Sequence, residues 1–268
     1  MMNYKILKSF LFLFFSYYSY AQNFRLDYQL AYREDSLSSE ITRKNMILLV
    51  QGDQSKFMTE EQYKADSIKS TGSKDFAMGD QSFLVINAKD DVTFKYYFFI
   101  KDIYKIKETV KLPWKLKPET KTIGTYLCRK AVLSYKGRTW EAWYTQDVPL
   151  QTGPYLFRNL PGLIVDMEDT TGSYRFSLIS LKKRPNTLYF ENMYKEALSI
   201  QQKQLQKIYL EYYSDPLREV KTESAKTRFV DEKGKEIKTD FREMTKTIQS
   251  RLKKYNNPIE LSDAVQYP

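Results

Sequence analysis

The feature that most limits what this chain can fold into is a repeated alternation of apolar and polar residues. From Phe24 to Tyr32 every second residue is apolar or aromatic, and mostly polar residues lie between them. This period of two is typical of a β-strand that buries one face. Similar or wholly apolar runs, separated by short turn sequences, predict further strands at 46–50, 83–86, 92–100, 103–110, 126–135, 139–145, 163–168 and 173–181.

After Pro185 the pattern becomes helical. Residues 192–213 carry apolar side chains at roughly helical spacing, and residues 241–252 repeat them on one helix face. No Pro- and Gly-rich linker precedes this region, so we expect helices that pack on the sheet. The predicted fold class is α+β, a large curved antiparallel β-sheet of half-barrel character with C-terminal helices packed on it. The predicted sheet spans about 22–181 and the helices about 190–256, in a single domain of residues 22–268.

Residues 1–21 have the order of a secretory signal peptide. Lys5 and Lys8 form a short positive segment, and the apolar stretch 6–15 that follows is too short to span a bilayer. Small residues then lead to a predicted cleavage site between Ala21 and Gln22. We therefore expect a periplasmic or cell-envelope protein. No later stretch reaches the ~18 apolar residues of a membrane span, so the mature protein is not expected to be integral to the membrane.

The chain is basic, with 43 Lys and Arg against 33 Asp and Glu and a formal net charge of +10. Nucleic acid is not an expected partner of an exported protein. Anionic lipid headgroups or acidic glycans are the partners that a basic surface would attract outside the cytoplasm. The alternative is a basic surface that is only solvated.

The residue types that are missing exclude several chemistries. The sequence contains no His, which removes Ser-His-Asp and Cys-His nucleophiles, His-based acid/base catalysis and most zinc sites. The single cysteine, Cys128, has no partner for an intramolecular disulfide and is expected to be a small buried apolar residue. We therefore predict no cofactor, no metal site, no catalytic residue and no enzymatic activity.

The most unusual segment is the stretch 153–164, which we call the motif loop. It holds a Gly-Pro and a Pro-Gly dipeptide directly before a predicted strand. Proline fixes φ, and glycine permits backbone angles that are closed to other residues, so the loop has a defined shape. It is a candidate docking surface or a structural plug, and its candidate residues are Gly153, Pro154, Phe157, Arg158, Asn159, Leu160, Pro161, Gly162, Leu163 and Ile164.

The motif loop resembles the name motif of the GLPGLI family of secreted bacterial proteins. The motif stands here as residues 159–164, with Asn159 where the family usually has glycine. The resemblance is dense from about Gly124 to Phe176 and includes the signal peptide and the chain length. It implies an exported protein and no defined activity. The matching residues upstream are Gly124, Tyr126, Cys128, Lys130, Ala131, Gly137, Arg138, Trp140, Ala142, Trp143, Tyr144, Thr145 and Pro149.

Other candidate residues each have a structural alternative. Three aromatic residues are candidate contacts for a sugar or a lipid headgroup, or else cross-strand core packing: Trp140, Trp143 and Tyr144. Asp166 and Glu168 share one face of a predicted strand; they fit a carboxylate pair less well than a polar strand end. Arg158 is expected to be exposed, so that its removal would barely change melting.

Two functional classes remain open at this point. The first is a periplasmic binding or carrier module for an apolar or lipid-like ligand, an architecture similar to the half-barrel of lipoprotein carriers of the LolA type. The second is an accessory subunit that docks onto an outer-membrane or envelope protein through the motif loop. A continuous apolar cavity favours the first class, and a flat exposed apolar patch around the motif loop favours the second.

Overall fold

A computed structural model of the protein describes residues 23–70, 83–184, 194, 196–222 and 240–268. The predicted signal peptide and its cleavage site at Ala21 and Gln22 lie outside these ranges. Twelve strands lie within them: β1 Asn23–Tyr32, β2 Thr42–Gln51, β3 Gln54–Thr59, β4 Val85–Asn87, β5 Val92–Phe99, β6 Asp102–Thr109, β7 Lys115–Ile123, β8 Tyr126–Tyr135, β9 Arg138–Thr145, β10 Leu163–Asp169, β11 Tyr174–Arg184 and β12 Leu198–Ser199.

The strands form one open sheet in the order β12-β6-β5-β4-β3-β2-β1-β11-β10-β9-β8-β7. Neighbouring strands are antiparallel except for the short β12, which runs parallel to β6. Strand β1 lies near the middle, between β2 and β11, so the N-terminal part of the domain pairs with a strand about 150 residues later in the chain. The predicted α+β class, a large antiparallel sheet followed by helices, is confirmed.

Four helices accompany the sheet in the part of the chain that the structure describes: α1 Glu60–Ser70, α2 Gln202–Ser214, α3 Arg218–Thr222 and α4 Phe241–Lys254. The start of α4 is fixed by Asp240, whose side chain accepts hydrogen bonds from the backbone N–H groups of Arg242 and Glu243. A 3₁₀ turn at Leu261–Asp263 belongs to the C-terminal segment, residues 255–268. None of the described helices is long and apolar enough to cross a membrane.

The alternation in β1 divides the sheet into two unlike faces. Leu26, Tyr28 and Leu30 point to what we call the core face, where they pack with Trp140 and Phe176 in the larger apolar cluster. The opposite face carries a second, smaller cluster, which α1 and Tyr194 cover. Its apolar members come from β2, β3 and β4, so the predicted alternation gives way there to strands buried on both faces.

Three strands, β3, β7 and β12, and one helix boundary differ from the sequence predictions. The patterns predict no strand at β3 or β7; β7 is an edge strand with almost every residue exposed, so it has no apolar period. A helix is predicted over 192–213, but α2 begins only at Gln202. Before it, Leu198 and Ser199 pair with β6, because a free edge of the sheet is available there and satisfies their backbone groups.

The hairpin between β8 and β9 follows its prediction closely. Its two-residue turn, Lys136 and Gly137, has positive φ at both positions, as a tight hairpin requires. The turn also contacts the C-terminal segment, because the N–H of Ser262 donates to the carbonyl of Lys136. This hairpin therefore anchors the end of the chain on the core face.

Candidate functional site

The motif loop is a plug in the core rather than a surface feature. Leu156, Phe157 and Leu160 are each at most 1% exposed and belong to the larger apolar cluster. The Phe157 ring lies 4.8 Å from that of Trp140, centroid to centroid, and it also contacts the rings of Trp114, Tyr135 and Tyr155. Of residues 153–164, only Asn159 and Pro161 are exposed. The loop therefore fills space over the core face.

Asn159 has φ of +69°, in the left-handed region that glycine favours and asparagine tolerates. Its side-chain amide donates to Asp91 at 2.9 Å, on the surface. Asparagine, which stands here in place of the usual glycine of the GLPGLI motif, is thus one of the few residues that accept this positive φ.

The expectation that Arg158 is exposed is wrong. Its side chain turns inward, and the residue is 7% exposed. The guanidinium donates to the carbonyl oxygens of Ala88 and Val92 at 2.9 and 3.2 Å and lies 3.4 Å from the hydroxyl of Thr93. Burial lowers the pKa of Arg158, although nearby Asp91 opposes that shift. Arg158 therefore ties the motif loop to the β4–β5 turn.

We expect Arg158→Ala to lower the free energy of unfolding by about 1.5–3 kcal/mol, because it leaves buried carbonyl groups without their charged donor. Urea denaturation followed by fluorescence measures this change. The matched control is Asn159→Gly, which keeps the positive φ and removes one exposed hydrogen bond, so its effect should stay within about 0.5 kcal/mol. Equal stability of the two variants would contradict the buried position of Arg158.

The three candidate aromatic residues of β9 do not form one surface. Trp140 and Tyr144 are buried on the core face, at 0% and 3% exposure. Trp143 lies on the opposite face, where the ammonium groups of Lys121 and Lys130 sit 4.1 and 5.9 Å from its ring centroid. Because successive side chains of a strand point to opposite faces, Trp143 cannot share a ligand with Trp140 or Tyr144. Core packing explains the first two residues.

The carboxylates near the end of β10 are separately neutralised. Asp166 accepts hydrogen bonds from Arg175 and from the hydroxyl of Ser177 on β11. Asp169 points to the core face and pairs with Arg138 at 2.9 Å. Glu168 is exposed, with the guanidinium of Arg175 3.8 Å away. The predicted polar strand end describes this arrangement better than a catalytic or calcium-binding pair.

A cavity of about 710 Å³ lies between the core face, helices α2 and α4, and the C-terminal segment. Its apolar lining includes Phe83 beside the sheet, Leu205 on α2 and Leu252 on α4. Tyrosines are unusually frequent around it; those lining it are Tyr32, Tyr96, Tyr97, Tyr155, Tyr174, Tyr209, Tyr255 and Tyr267. The cavity is within the size range of small-molecule sites and mixes apolar walls with a few polar groups.

One end of the cavity meets a cluster of five charges, of which Lys95 and Glu260 are buried and the others partly exposed. The ammonium of Lys95, which is almost fully buried, lies 2.6 Å from a carboxylate oxygen of Glu260 and 3.1 Å from one of Glu108. Asp263 completes the acidic set and pairs with Lys136 at 3.3 Å. Burial raises the pKa of Glu260, an effect that Lys95 opposes and Glu108 reinforces. These charges join β5, β6 and the β8–β9 turn to the C-terminal segment.

The acidic set in this charge cluster does not have the form of a metal site. Oxygens of Glu108, Glu260 and Asp263 lie within 4.8 Å of one another, a spacing that a cation could bridge. Two ammonium groups, those of Lys95 and Lys136, already reach all three carboxylates. Carboxylate oxygens that hold a hard metal ion need to face the ion without competing cations beside it. The cluster is therefore an ion-pair network.

Tyrosine hydroxyls surround the charge cluster. The hydroxyl of Tyr155 donates to Glu260 at 2.9 Å. Burial raises the pKa of Tyr97 well above its ordinary value, and the negative charges of Glu260 and Glu108 raise it further. Both hydroxyls consequently stay protonated at any physiological pH and can act as hydrogen-bond donors.

The C-terminal segment is held in place by Arg138. This residue is buried, and its guanidinium donates to the carbonyl oxygens of Pro258 and Ile259, at 2.8 and 3.1 Å, and to the side chain of Asn257. The hydroxyl of Tyr174 donates to the carbonyl of Asn257 at 2.6 Å. The chain end thus forms one wall of the cavity. No local pattern in 255–268 predicts this role, since Arg138 and Tyr174, which hold residues 257–259, lie more than 80 positions earlier.

Cys128 is fully buried, as expected for a lone cysteine. Burial raises the pKa of its thiol to about 11. Since the thiolate is the reactive form, we expect negligible labelling of the native protein by a bulky aromatic disulfide reagent at pH near 8 and full labelling in urea. Absorbance of the released thiol gives both rates, and rapid labelling without urea would contradict the burial.

Two structures of PNGF-II, in space groups C2 and P21, are similar to this chain, each with a TM-score of 0.50 and 22% sequence identity over 70% of this chain. At this identity the likeness shows the fold. The matched region spans only 32% and 33% of the PNGF-II chains, about a third of their length. No curated protein matches the chain.

The family comparison covers most of the sheet. Residues 30–206 match the family model described as N-glycanase peptide, N-terminal domain. They run from β1 to the start of α2 and include the motif loop. This match exceeds half of the 268 residues. The chain therefore belongs to the N-glycanase peptide, N-terminal domain family.

Proposed function

We propose that this protein is a non-catalytic binding module that holds an amphipathic, lipid-like ligand in the cavity between the core face and the C-terminal helices. The observation that carries the proposal is the cavity itself, about 710 Å³ in volume with apolar walls and a charged end. An apolar ligand body would replace water along these walls, and burial of apolar surface is the main favourable term in such binding.

One buried polar atom without a partner supports a ligand that is not purely apolar. The side-chain oxygen of Gln202, which lines the cavity, is buried with no hydrogen-bond partner among the described residues. Buried polar atoms in folded proteins are nearly always hydrogen-bonded, so a ligand with a polar group would satisfy such a site.

Catalysis is not part of the proposal. The buried carboxylates near the cavity are engaged by Lys95, Lys136 and Tyr155 rather than poised as an acid and a base. The sequence supplies no His to act beside them. The PNGF-II chains are about three times as long as the segment matched here, so the activity of a whole protein is not carried over to this chain.

Docking through the motif loop is the weaker alternative. A docking surface needs exposed side chains, whereas residues 153–158 are buried and the exposed positions are Asn159 and Pro161. The aromatic and apolar residues of the loop are engaged with the protein's own core. The observations therefore favour the binding module over the accessory subunit.

Cavity binding can be tested with N-phenylnaphthylamine, an uncharged probe whose fluorescence rises in apolar surroundings. We expect saturable binding by the wild-type protein and affinity reduced by about tenfold or more in Leu252→Trp, which fills the cavity. The matched control is Leu210→Trp, on the exposed side of α2. No binding by the wild type, or equal loss in both variants, would rule out the cavity as the site.

We also propose that the protein acts outside the cytoplasm, as its predicted signal peptide and its resemblance to GLPGLI proteins suggest. The supporting observation is the order of charged, apolar and small-residue segments in 1–21. N-terminal analysis of the native protein should find Gln22 as the first residue. Retention of Met1 on the bulk of the protein would reject this proposal.

A further inference from the structure

We infer that the ligand of this cavity carries an ammonium group, which lies at the acidic end against Asp263. The inference rests on the proposed function and adds the charge of the ligand's head. It runs against the net charge of the chain, which by itself points to anionic partners.

The charge cluster contains more carboxylates than ammonium groups, which disfavours an anionic head group. Three carboxylates, from Glu108, Glu260 and Asp263, meet two ammonium groups, from Lys95 and Lys136, which leaves one negative charge. Protonation of Glu260 would make the cluster neutral and never positive. An ammonium ion from a ligand would balance the same charge. A carboxylate or phosphate head would instead add to the repulsion, at a place where burial makes charge interactions strong.

Of the two lysines only Lys95 lines the cavity, and its ammonium is already engaged by carboxylates. The ammonium of Lys95 lies 2.6 Å from Glu260 and 3.1 Å from Glu108, with only 2% of its side chain exposed. Asp263 is less tightly held, at 3.3 Å from Lys136 and 3.9 Å from Lys95, and it lines the cavity. Glu260 lines the cavity too but lies only 2.6 Å from Lys95, so Asp263 is the lining carboxylate of the cluster that is more open to a ligand.

The other residues that line the cavity also favour a cationic head group. Glu34, at the rim, is a further carboxylate, and Lys95 is the sole Lys or Arg among the described lining residues. The tyrosine rings around the cavity have electron-rich faces that attract cations, and ammonium ligands in proteins are commonly held by such aromatic rings together with carboxylates. Both kinds of lining group therefore select a cationic over an anionic head.

The test compares amphiphiles with the same twelve-carbon tail and different heads, each below its micelle-forming concentration. Dodecyltrimethylammonium, dodecyl maltoside and laurate are titrated into the full mature protein by calorimetry at low salt. We expect the ammonium compound to bind about tenfold or more tightly than either of the others. Laurate or maltoside binding as tightly as the ammonium compound would overturn the inference and leave cavity binding intact. If none of the three compounds bound, both the inference and the proposed function would be wrong.

Asp263→Asn provides the matching change in the protein, because it keeps the shape of the side chain and makes the charge cluster neutral. The preference for the ammonium head over maltoside should fall several-fold, while maltoside binding is unchanged. Glu168→Gln, which removes an exposed carboxylate on the opposite face, should leave the preference as it is. An equal preference in all three proteins would overturn the placement at Asp263. The head-group comparison on the wild type stands whether or not the variant folds well.

Discussion

Gly162→Ala is expected to lower the free energy of unfolding by about 3 kcal/mol or more, a large fraction of the about 5–15 kcal/mol by which a typical domain is stable. A β-carbon at this position would fall on the carbonyl oxygen of Thr145 and lie 2.7 Å from its carbonyl carbon. Both atoms belong to the backbone at the end of β9, so they cannot turn aside as a side chain would. The φ of +154° adds strain for any other residue. Urea denaturation measures the loss.

A second glycine separates steric overlap from backbone strain. Gly124 has φ of +57°, and a β-carbon built there meets no atom within 4 Å. Gly124→Ala should therefore cost only the left-handed backbone term, about 1 kcal/mol. If Gly162→Ala proved no more harmful than Gly124→Ala, the close approach of the motif loop to β9 would be wrong.

Arg138→Ala is the second change with a large expected effect, a loss of about 3–5 kcal/mol. It would leave Asp169 buried and unpaired, since the ion pair between them has at most 1% of either side chain exposed. It would also remove the donors to Pro258 and Ile259 that hold the C-terminal segment. Thermal and urea unfolding measure the stability, and N-phenylnaphthylamine binding should weaken in parallel because the cavity loses a wall.

An exposed ion pair serves as the control for this variant. Lys207 and Glu211 are one turn apart on α2, and both side chains are more than half exposed. Lys207→Ala should change the unfolding free energy by no more than about 0.5 kcal/mol. Similar stabilities of the Arg138 and Lys207 variants would show that Asp169 finds another partner or reaches water when Arg138 is absent.

Where local pattern and local packing coincide, the sequence predicts the structure well. The alternation in 24–32 predicts both the extent of β1 and the face that it buries, because period two maps directly onto the two sides of a strand. The two-residue turn at Lys136 and Gly137 is likewise a local preference. Strand β7 is not predicted, because an exposed edge strand has no buried face and therefore no alternation of apolar and polar residues.

The candidate residues also fall into two groups: those whose environment follows from residue type, and those whose environment depends on distant parts of the chain. Composition predicts that Cys128 is buried and that chemistry needing His is excluded, since both depend on residue type alone. The inward turn of Arg158 depends instead on three acceptors of the β4–β5 region, about 65 to 70 positions earlier in the chain. A charged residue beside a turn is usually exposed, so only those tertiary contacts reverse the expectation.

The sequence by itself determined the strand content, the position of most strands, the later change to helices and the special geometry of the motif loop. Only the tertiary structure decided that this loop is a core plug and that the C-terminal segment walls a cavity. Lys95 and Glu260, which meet at the end of that cavity, are 165 positions apart. Such a pair leaves no trace in periodicity or spacing, because its energy arises only after the sheet has brought both chain segments to one face.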